Sequence, residues 1–320
     1  MAVFNATTTT DQVIDAFKSQ VKGRTFVITG AGKPSIGSQM AVALAKASPM
    51  HILIASRTAS RVETVLKEIT EIDSSIKTTF VQVDLTDHDS VRRAAKEIQA
   101  AAPKIDVLIN SAGIMAIKEF TVDKQGIELQ LSANYVGHFL LTNLIMPSLL
   151  AASPARVVNL TGSGYRITKF RFDDWNFSNG KEYERWTSYG QAKLASILFT
   201  YGLTKRLKDR GITSTACHPG YNGDTHLGDH LTYDDYGEVP DIMRRNMGME
   251  WEWEEPRFKT FDQIPTTSLI AALDPELPAK SPAYLQNSQI HETDEHARDP
   301  EGVEKLWKLS EQLAGQKFEY

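Results

Sequence analysis

Six short apolar runs punctuate the chain: TFVIT at 25–29, HILIA at 51–55, TTFVQV at 78–83, IDVLIN at 105–110, ARVVNL at 155–160 and GITSTAC at 211–217. They lack the strict apolar–polar alternation of a sheet with one wet face. Amphipathic stretches lie between them, near 36–47, 58–73, 87–101, 121–152 and 184–210; Leu194, Ile197, Leu198, Tyr201 and Leu207 mark the helical period of the last. Strands buried on both faces and alternating with helices predict an α/β fold, a doubly wound parallel sheet with helices on both faces. No linker, low-complexity tract or repeat divides the sequence, so one domain over 1–320 is expected.

The stretch from about 221 to 262 breaks the pattern. It carries Tyr221, Tyr233, Tyr236, Met243, Met247, Met249, Trp251 and Trp253 among many acids, with no clear period. An insertion after a late strand of such a sheet is placed to cover a ligand, and this one is expected to close over substrate. The alternative is a solvated, weakly ordered acidic loop.

Composition narrows the classes of function. A chain of 320 residues can bury a full core, and 41% hydrophobic with 23% charged residues is ordinary for a soluble globular protein. A net charge of -5 gives no electrostatic reason to expect nucleic acid or an anionic membrane. The lone Cys217 rules out an internal disulfide and fits a reducing compartment. The longest apolar candidate, 139–152, is interrupted by Thr142, Asn143, Pro147 and Ser148, too short for a span. The opening MAVFNATTTTDQ has neither a basic start nor an apolar stretch, so no signal peptide is read there. A cytoplasmic enzyme is the expectation.

The first apolar run leads into Gly30-Ala31-Gly32-Lys33-Pro34-Ser35-Ile36-Gly37 and then a helix. Glycines there let backbone approach a pyrophosphate, and the helix N-terminus supplies N–H donors and a positive dipole. An acid that binds the adenosine ribose diol belongs at the end of the second strand, but Ser56-Arg57 stands there. A carboxylate would repel a 2′-phosphate, whereas Arg57 can pair with one bidentately, and Lys33 adds a second positive charge. NADP(H) is therefore expected over NAD(H). Asp84 and Leu85, after the third run, are placed to receive the adenine amino group and cover its ring; Thr86 and Asp87 suit the cap of the next helix better.

Tyr189 and Lys193, in SYGQAK, stand four residues apart on one helical face. An ammonium held near a phenol stabilises the phenolate, so the tyrosine can exchange a proton nearer neutral pH. The bland alternative is an ordinary amphipathic helix with a lysine on it. His218, His226 and His230, with Asp224 and Asp229, are ligand-like only by type; no spacing gathers them, and no metal is expected.

In order, TGAGKPSIG (29–37), ASR (55–57), VDL (83–85), NSAG (110–113), ANYVGHFLLTN (133–143), ARVVNLTGSG (155–164), SYGQAK (188–193) and HPG (218–220) resemble the short-chain dehydrogenase/reductase family. The finer resemblance is to its retinol-dehydrogenase-like and WW-domain-oxidoreductase-like branch, particularly fungal members, through NYVGHFLLT, RFDDWNF, AALDP and HARDPEGVEKLW. It runs from about residue 12 to the C-terminus and implies a Rossmann-type fold. By that resemblance Tyr189 is the general acid in carbonyl reduction, or the base in reverse. Lys193 lowers its pKa and bonds the nicotinamide ribose, and Asn134 holds a relay water. Gly30, Ser35, Ile36 and Gly37 border the pyrophosphate; Asn110, Ala112 and Gly113 line the cofactor. Pro219, Gly220 and Thr225, with His218, close over its nicotinamide end. A homodimer paired through the helices near 121–152 and 184–210 is also compatible.

Two departures stand out. The glycine turn has one residue more than the commonest spacing, with Ser35 at the middle glycine, where its backbone N–H should stay exposed. The family serine after strand five falls on Gly162, between Thr161 and Ser163. Ser163 swings in, freed by its flanking glycines, or Thr161 substitutes, or no hydroxyl serves; Ser163 is favoured. The expected activity interconverts a ketone or aldehyde and an alcohol on a hydrophobic, aromatic or polycyclic molecule of secondary-metabolite type. Gly162 keeps a non-redox step (cyclisation, dehydration or isomerisation) as the alternative, and a non-catalytic NADP(H)-binding protein as a third reading. The acidic cover also admits a cationic substrate.

Overall fold

The computed structural model describes residues 3–320. Each of the six apolar runs becomes a strand: β1 (Thr25–Thr29), β2 (His51–Ser56), β3 (Lys77–Gln82), β4 (Val107–Asn110), β5 (Ala155–Leu160) and β6 (Ile212–His218). Two further strands, β7 (Ala283–Gln286) and β8 (Gln289–His291), extend the sheet to the order β3-β2-β1-β4-β5-β6-β7-β8. All neighbours pair in parallel except β8, which returns antiparallel on β7. The two late strands escape pattern reading because four and three residues are too few to show a period.

Helices cover both faces. The first half supplies α1 (Thr10–Val21), α2 (Ile36–Ala45), α3 (Ala59–Ile72), α4 (His88–Ala101), α5 (Leu129–Leu131), α6 (Gly137–Leu144) and α7 (Met146–Ala152). The second supplies α8 (Arg185–Leu207), α9 (Tyr233–Gly237), α10 (Val239–Met247), α11 (Thr266–Leu273), α12 (Leu277–Lys280) and α13 (Pro300–Ala314). One core joins Val13, Met40, Val62, Leu269 and their neighbours to β1 and β2; the other joins Val91, Phe139, Leu198 and Trp307 to the opposite face.

The amphipathic stretch 121–152 is not one helix. Val122 and Glu128 bridge across a turn, and the Glu128 carboxylate then caps a new start, accepting from the Gln130 and Leu131 N–H groups at 3.0 and 2.8 Å. A π-helical turn, Ser132–Val136, separates α5 from α6. Pro147 opens α7, bent 57° from the preceding segment. Among the described residues no single helix is long and apolar enough to cross a membrane; this bent pair passes by length and composition only. The 184–210 stretch is helical only to Leu207, after which a 3-10 turn (Lys208–Arg210) leads to Gly211 at φ +80°.

The 221–262 insertion is ordered by its own charges. Thr232 and Asp235 form a capping box on α9. Arg185, at the start of α8, reaches Asp235 at 2.6 Å and Glu238 at 2.7 Å, while Arg244 pairs with Asp241 and Glu250. Of the acids that suggested a cationic substrate, Asp235, Glu238, Asp241 and Glu250 are spent on internal pairs, whereas Asp234, Glu252 and Glu255 are exposed and in no ion pair among the described residues. Its large side chains divide: Tyr236, Ile242 and Trp251 pack with Trp186 and Tyr189, whereas Tyr233 and Met249 face solvent.

Gly137 sets how closely α6 approaches the strand-three loop. A Cβ there would lie 2.2 Å from the Leu85 carbonyl oxygen, inside contact distance. Gly137→Ala should lower the free energy of unfolding by about 1–3 kcal/mol, read as a reduced midpoint in urea.

Candidate active site

The strand order reverses between β1 and β4, so a crevice opens at their carboxyl ends. Gly30 makes the turn at its mouth with φ +70°, and a Cβ there would meet Ala112 Cα at 2.5 Å. Beyond it, Ser35 caps α2: its hydroxyl accepts the Ser38 N–H at 3.0 Å, and its own N–H donates to Ser38 Oγ at 3.2 Å. The Ser35 N–H is therefore not exposed as expected, because the reciprocal cap uses it. The Ile36 and Gly37 N–H groups make no hydrogen bond among the described residues, and they open a ten-residue helix. Backbone donors at a helix start, reached over a glycine-lined turn, fit a dinucleotide pyrophosphate.

The cations around this turn rearrange the expectation. Lys33 pairs with Glu68, so its charge is already committed. Arg57 is exposed and in no ion pair among the described residues. Arg61, one turn further along α3, lies against the glycine turn: a Cβ on Gly32 would come 3.0 Å from Arg61 Cβ, and the Arg61 carbonyl accepts the Lys33 N–H at 3.1 Å. Sequence reading missed Arg61, although its i, i+4 spacing from Arg57 was available. Asp84 Oδ1 accepts from the Thr86 N–H and hydroxyl at 2.9 and 2.7 Å, and Asp87 caps α4. Leu85 is packed in the core rather than standing free beside the crevice.

Asn110 turns inward. Its Nδ2 donates to Thr142 Oγ1 at 3.0 Å and Asn159 Oδ1 at 2.9 Å, and Asn159 continues to Thr200 and Ser214. Its side chain ties strands to helices, leaving the border of the crevice to the backbone of Ser111, Ala112 and Gly113. Thr29 fixes that loop: its hydroxyl oxygen accepts the Ser111 and Ala112 N–H groups at 2.9 and 3.1 Å. Having accepted twice, the hydroxyl donates to His138 Nε2, 2.8 Å away. Burial lowers the His138 pKa to about 4, so the ring is neutral and its Nδ1–H donates to the Asn134 carbonyl at 3.1 Å. His138 was also missed, because an isolated histidine in an apolar helix carries no sequence signal.

Asn134 sits in the π-turn and clamps Ile114, accepting its N–H at 2.8 Å and donating to its carbonyl at 2.9 Å. One Nδ2 hydrogen remains. A Cβ on Gly113 would fall 3.0 Å from Asn134 Oδ1 and 3.7 Å from Lys193 Nζ, so these two groups converge on Gly113. Lys193 Nζ donates to the Leu160 carbonyl at 3.3 Å and lies 5.5 Å from the Tyr189 ring centre. Burial lowers the Lys193 pKa to about 8. Burial also pushes the Tyr189 phenol up, reinforced by Tyr221 and Tyr236. Burial therefore favours the neutral phenol, and the expected lowering by the lysine is not among the causes of its shift.

Around the phenol, the three candidates for the missing serine separate. Thr161 Oγ1 donates to the Lys193 carbonyl at 2.7 Å, and Ser163 Oγ meets the Tyr221 hydroxyl at 2.5 Å. Gly162 is the position that faces Tyr189: a Cβ there would lie 3.3 Å from the phenol oxygen. The HPG turn is pinned by the cover. Lys259 Nζ donates to the Pro219 carbonyl at 3.2 Å and packs on Gly220, and Glu254 Oε1 stands 2.8 Å from His218 Nε2. Thr225 is buried at the start of the cover. His226 goes to Asp229 and His230 to the Met115 carbonyl, so the imidazoles have separate partners.

Residues 24–169 match the profile described as short chain dehydrogenase. The chain is 33% identical to mouse retinol dehydrogenase 12 over 94% of its own length and 89% of that protein. It is 32% identical to oxidoreductase fscI of Fusarium equiseti, over 68% of this chain and 95% of that one. Among solved structures, a protein from Mycobacterium paratuberculosis superposes with a TM-score of 0.69 at 29% identity, over 93% of this chain and 96% of its own. A short-chain dehydrogenase/reductase from Serratia marcescens, 17% identical, shares the fold with a TM-score of 0.62 over 83% of this chain and 96% of its own. The chain belongs to the short-chain dehydrogenase/reductase family, in its retinol-dehydrogenase-like branch, and is an oxidoreductase of a family that uses nicotinamide cofactors.

The Thr29 node makes a direct test of this architecture. Thr29→Val keeps the shape but leaves two N–H groups and the His138 ring without their partner. Each stranded buried group costs about 1–3 kcal/mol, so a drop in unfolding midpoint and weaker nucleotide binding should appear together, by denaturation and titration.

Proposed function

We propose that this chain is an NADP(H)-dependent reductase and dehydrogenase, interconverting a ketone or aldehyde and its alcohol on a hydrophobic, aromatic or polycyclic small molecule of secondary metabolism. The observation that carries the reading is the convergence of Tyr189, Lys193 and Asn134 at the β4–β5 end of the crevice, beneath an aromatic cover. Bound there, the nicotinamide supplies or takes up the hydride.

The residues then have separate tasks. Tyr189, kept neutral by burial, gives its proton to the oxygen as a carbonyl is reduced, and takes it back in the reverse direction. A neutral phenol is the right starting state, because the developing alkoxide is far more basic than phenolate. Lys193 places an ammonium between that phenol and Gly113, where a nicotinamide ribose would lie. Asn134 clamps the loop and keeps one amide hydrogen for a relay water. Ser163 enters through Tyr221, whose hydroxyl it holds.

Preference for the 2′-phosphate is supported by the exposed Arg57, in no ion pair among the described residues, with Arg61 rather than Lys33 as the second cation. A hydrophobic substrate is supported by the Trp186, Tyr236, Ile242 and Trp251 lining, and by the apolar alcohol named in the retinol dehydrogenases. The internal charge pairs of the cover favour a neutral substrate over a cationic one.

Two measurements test this. Arg57→Asp should reverse preference, weakening NADPH at least about tenfold while sparing NADH; unchanged NADPH affinity removes Arg57 from the phosphate site. Tyr189→Phe should abolish NADPH consumption with ketone substrates while NADPH still binds in a fluorescence titration. Retained turnover would end the proton-donor role.

A further inference from the structure

We propose that His218 is the second group on the substrate oxygen, with its Nδ1 supplying beside Tyr189 the hydrogen bond that Gly162 cannot. The inference rests on the reductase reading and names a further catalytic residue for it.

Three independent observations meet here. The first is space. A Cβ at Gly162 would lie 3.3 Å from the Tyr189 hydroxyl and 3.8 Å from His218 Nδ1, so imidazole and phenol flank the same spot. Neither neighbouring hydroxyl is directed there, since Thr161 Oγ1 is on the Lys193 carbonyl and Ser163 Oγ on Tyr221.

The second is an unpaired atom. His218 is 3% exposed, and both ring nitrogens are buried with no hydrogen-bond partner among the described residues; Nδ1 is the one on the side of Gly162 and Tyr189. A buried ring nitrogen without a partner is costly, and such atoms are rare outside functional sites.

The third is orientation. Glu254 Oε1 stands 2.8 Å from Nε2, and the Tyr221 ring meets the imidazole edge-on at 5.5 Å. The carboxylate's approach fails as a hydrogen bond in its angle, but it sets Nε2 toward the cover and leaves Nδ1 as the nitrogen facing Tyr189. With a proton on Nδ1 the ring donates to a carbonyl oxygen at that spot, and without one it accepts from an alcohol hydroxyl there.

The step balances without a new reactant. Hydride arrives at the carbonyl carbon, the C=O π bond becomes a C–O bond, and the Tyr189 proton completes the hydroxyl. The His218 proton is not transferred; it shares charge on the oxygen while that charge develops. The ring depends on the cover, because Glu254 lies in the insertion and Lys259 pins the same turn. A closed cover therefore completes the pair of donors.

The two amide replacements separate this role from a structural one. Asn at 218 places its amide where Nδ1 was, whereas Gln places it where Nε2 was. His218→Gln should lower kcat by about a hundredfold with NADPH affinity unchanged, and His218→Asn by less than about tenfold. Adding Gly162→Ser to His218→Gln should restore about tenfold or more, because the serine hydroxyl would then stand beside Tyr189. If His218→Gln fails to bind NADPH, Glu254→Gln carries the test and should lower kcat about tenfold.

Equal kcat for the Gln and Asn variants, no rescue by Gly162→Ser, or an unchanged kcat in Glu254→Gln would overturn the proposal. A hundredfold loss in Ser163→Ala with His218→Gln unaffected would return the role to Ser163. A parent protein with no NADPH-dependent turnover of any carbonyl overturns the reductase reading and this inference with it. Turnover that needs Tyr189 but ignores His218 overturns this inference alone.

Discussion

The hydroxyl of Thr29 holds the working end of this protein together. It sits at the carboxyl end of β1, accepts two N–H groups from the loop after β4 and donates to His138. His138 passes that restraint to the carbonyl of Asn134, and Asn134 clamps Ile114, next to Gly113. The chain of bonds closes on itself: strand end, helix, π-turn and loop fix one another. Its strength comes from burial, since a neutral imidazole with both nitrogens satisfied has no competing water and only one tautomer that fits. Lys193 is then placed against Gly113 by geometry already set elsewhere.

The cover follows a different physical logic. It is rich in acids, yet the acids meet Arg185 and Arg244, and one of them reaches the buried His218. The exposed Arg244 pairs contribute only about 0.2–1 kcal/mol each, so they select an arrangement more than they stabilise it. The apolar side of the cover, through Val239, Ile242 and Tyr236, contributes the burial that seats it on Trp186 and Tyr189.

How much of this was legible depended on the range of the interaction. The strands β1 to β6 were readable because burial on both faces leaves continuous apolar runs, and the glycine turn because backbone approach demands small residues. Tyr189 and Lys193 were readable because four residues make one helical turn. The ring of contacts around them was not. Ser35 and Ser38 share a local cap that the pattern did not reveal, Asn110 belongs to a polar ladder spanning the sheet, and Glu254 finds His218 only after the insertion folds back. The last two pairings are tertiary, and no local period records them. Gly162 is the instructive case: the missing serine was visible, but what stands opposite the gap was not.

The cover also sets the tempo of the protein. Tyr189 is 8% exposed, so no bulky molecule reaches its hydroxyl while α9 and α10 rest on α8. A bulky ligand bound beside the phenol would have to part that contact twice, once for entry and once for exit. The contact is fastened by Arg185 to the sheltered Asp235 and to the half-exposed Glu238, which dissolved ions can screen, and inside by apolar packing that they do not. Added salt would therefore weaken the latch at Glu238 while leaving the seat in place.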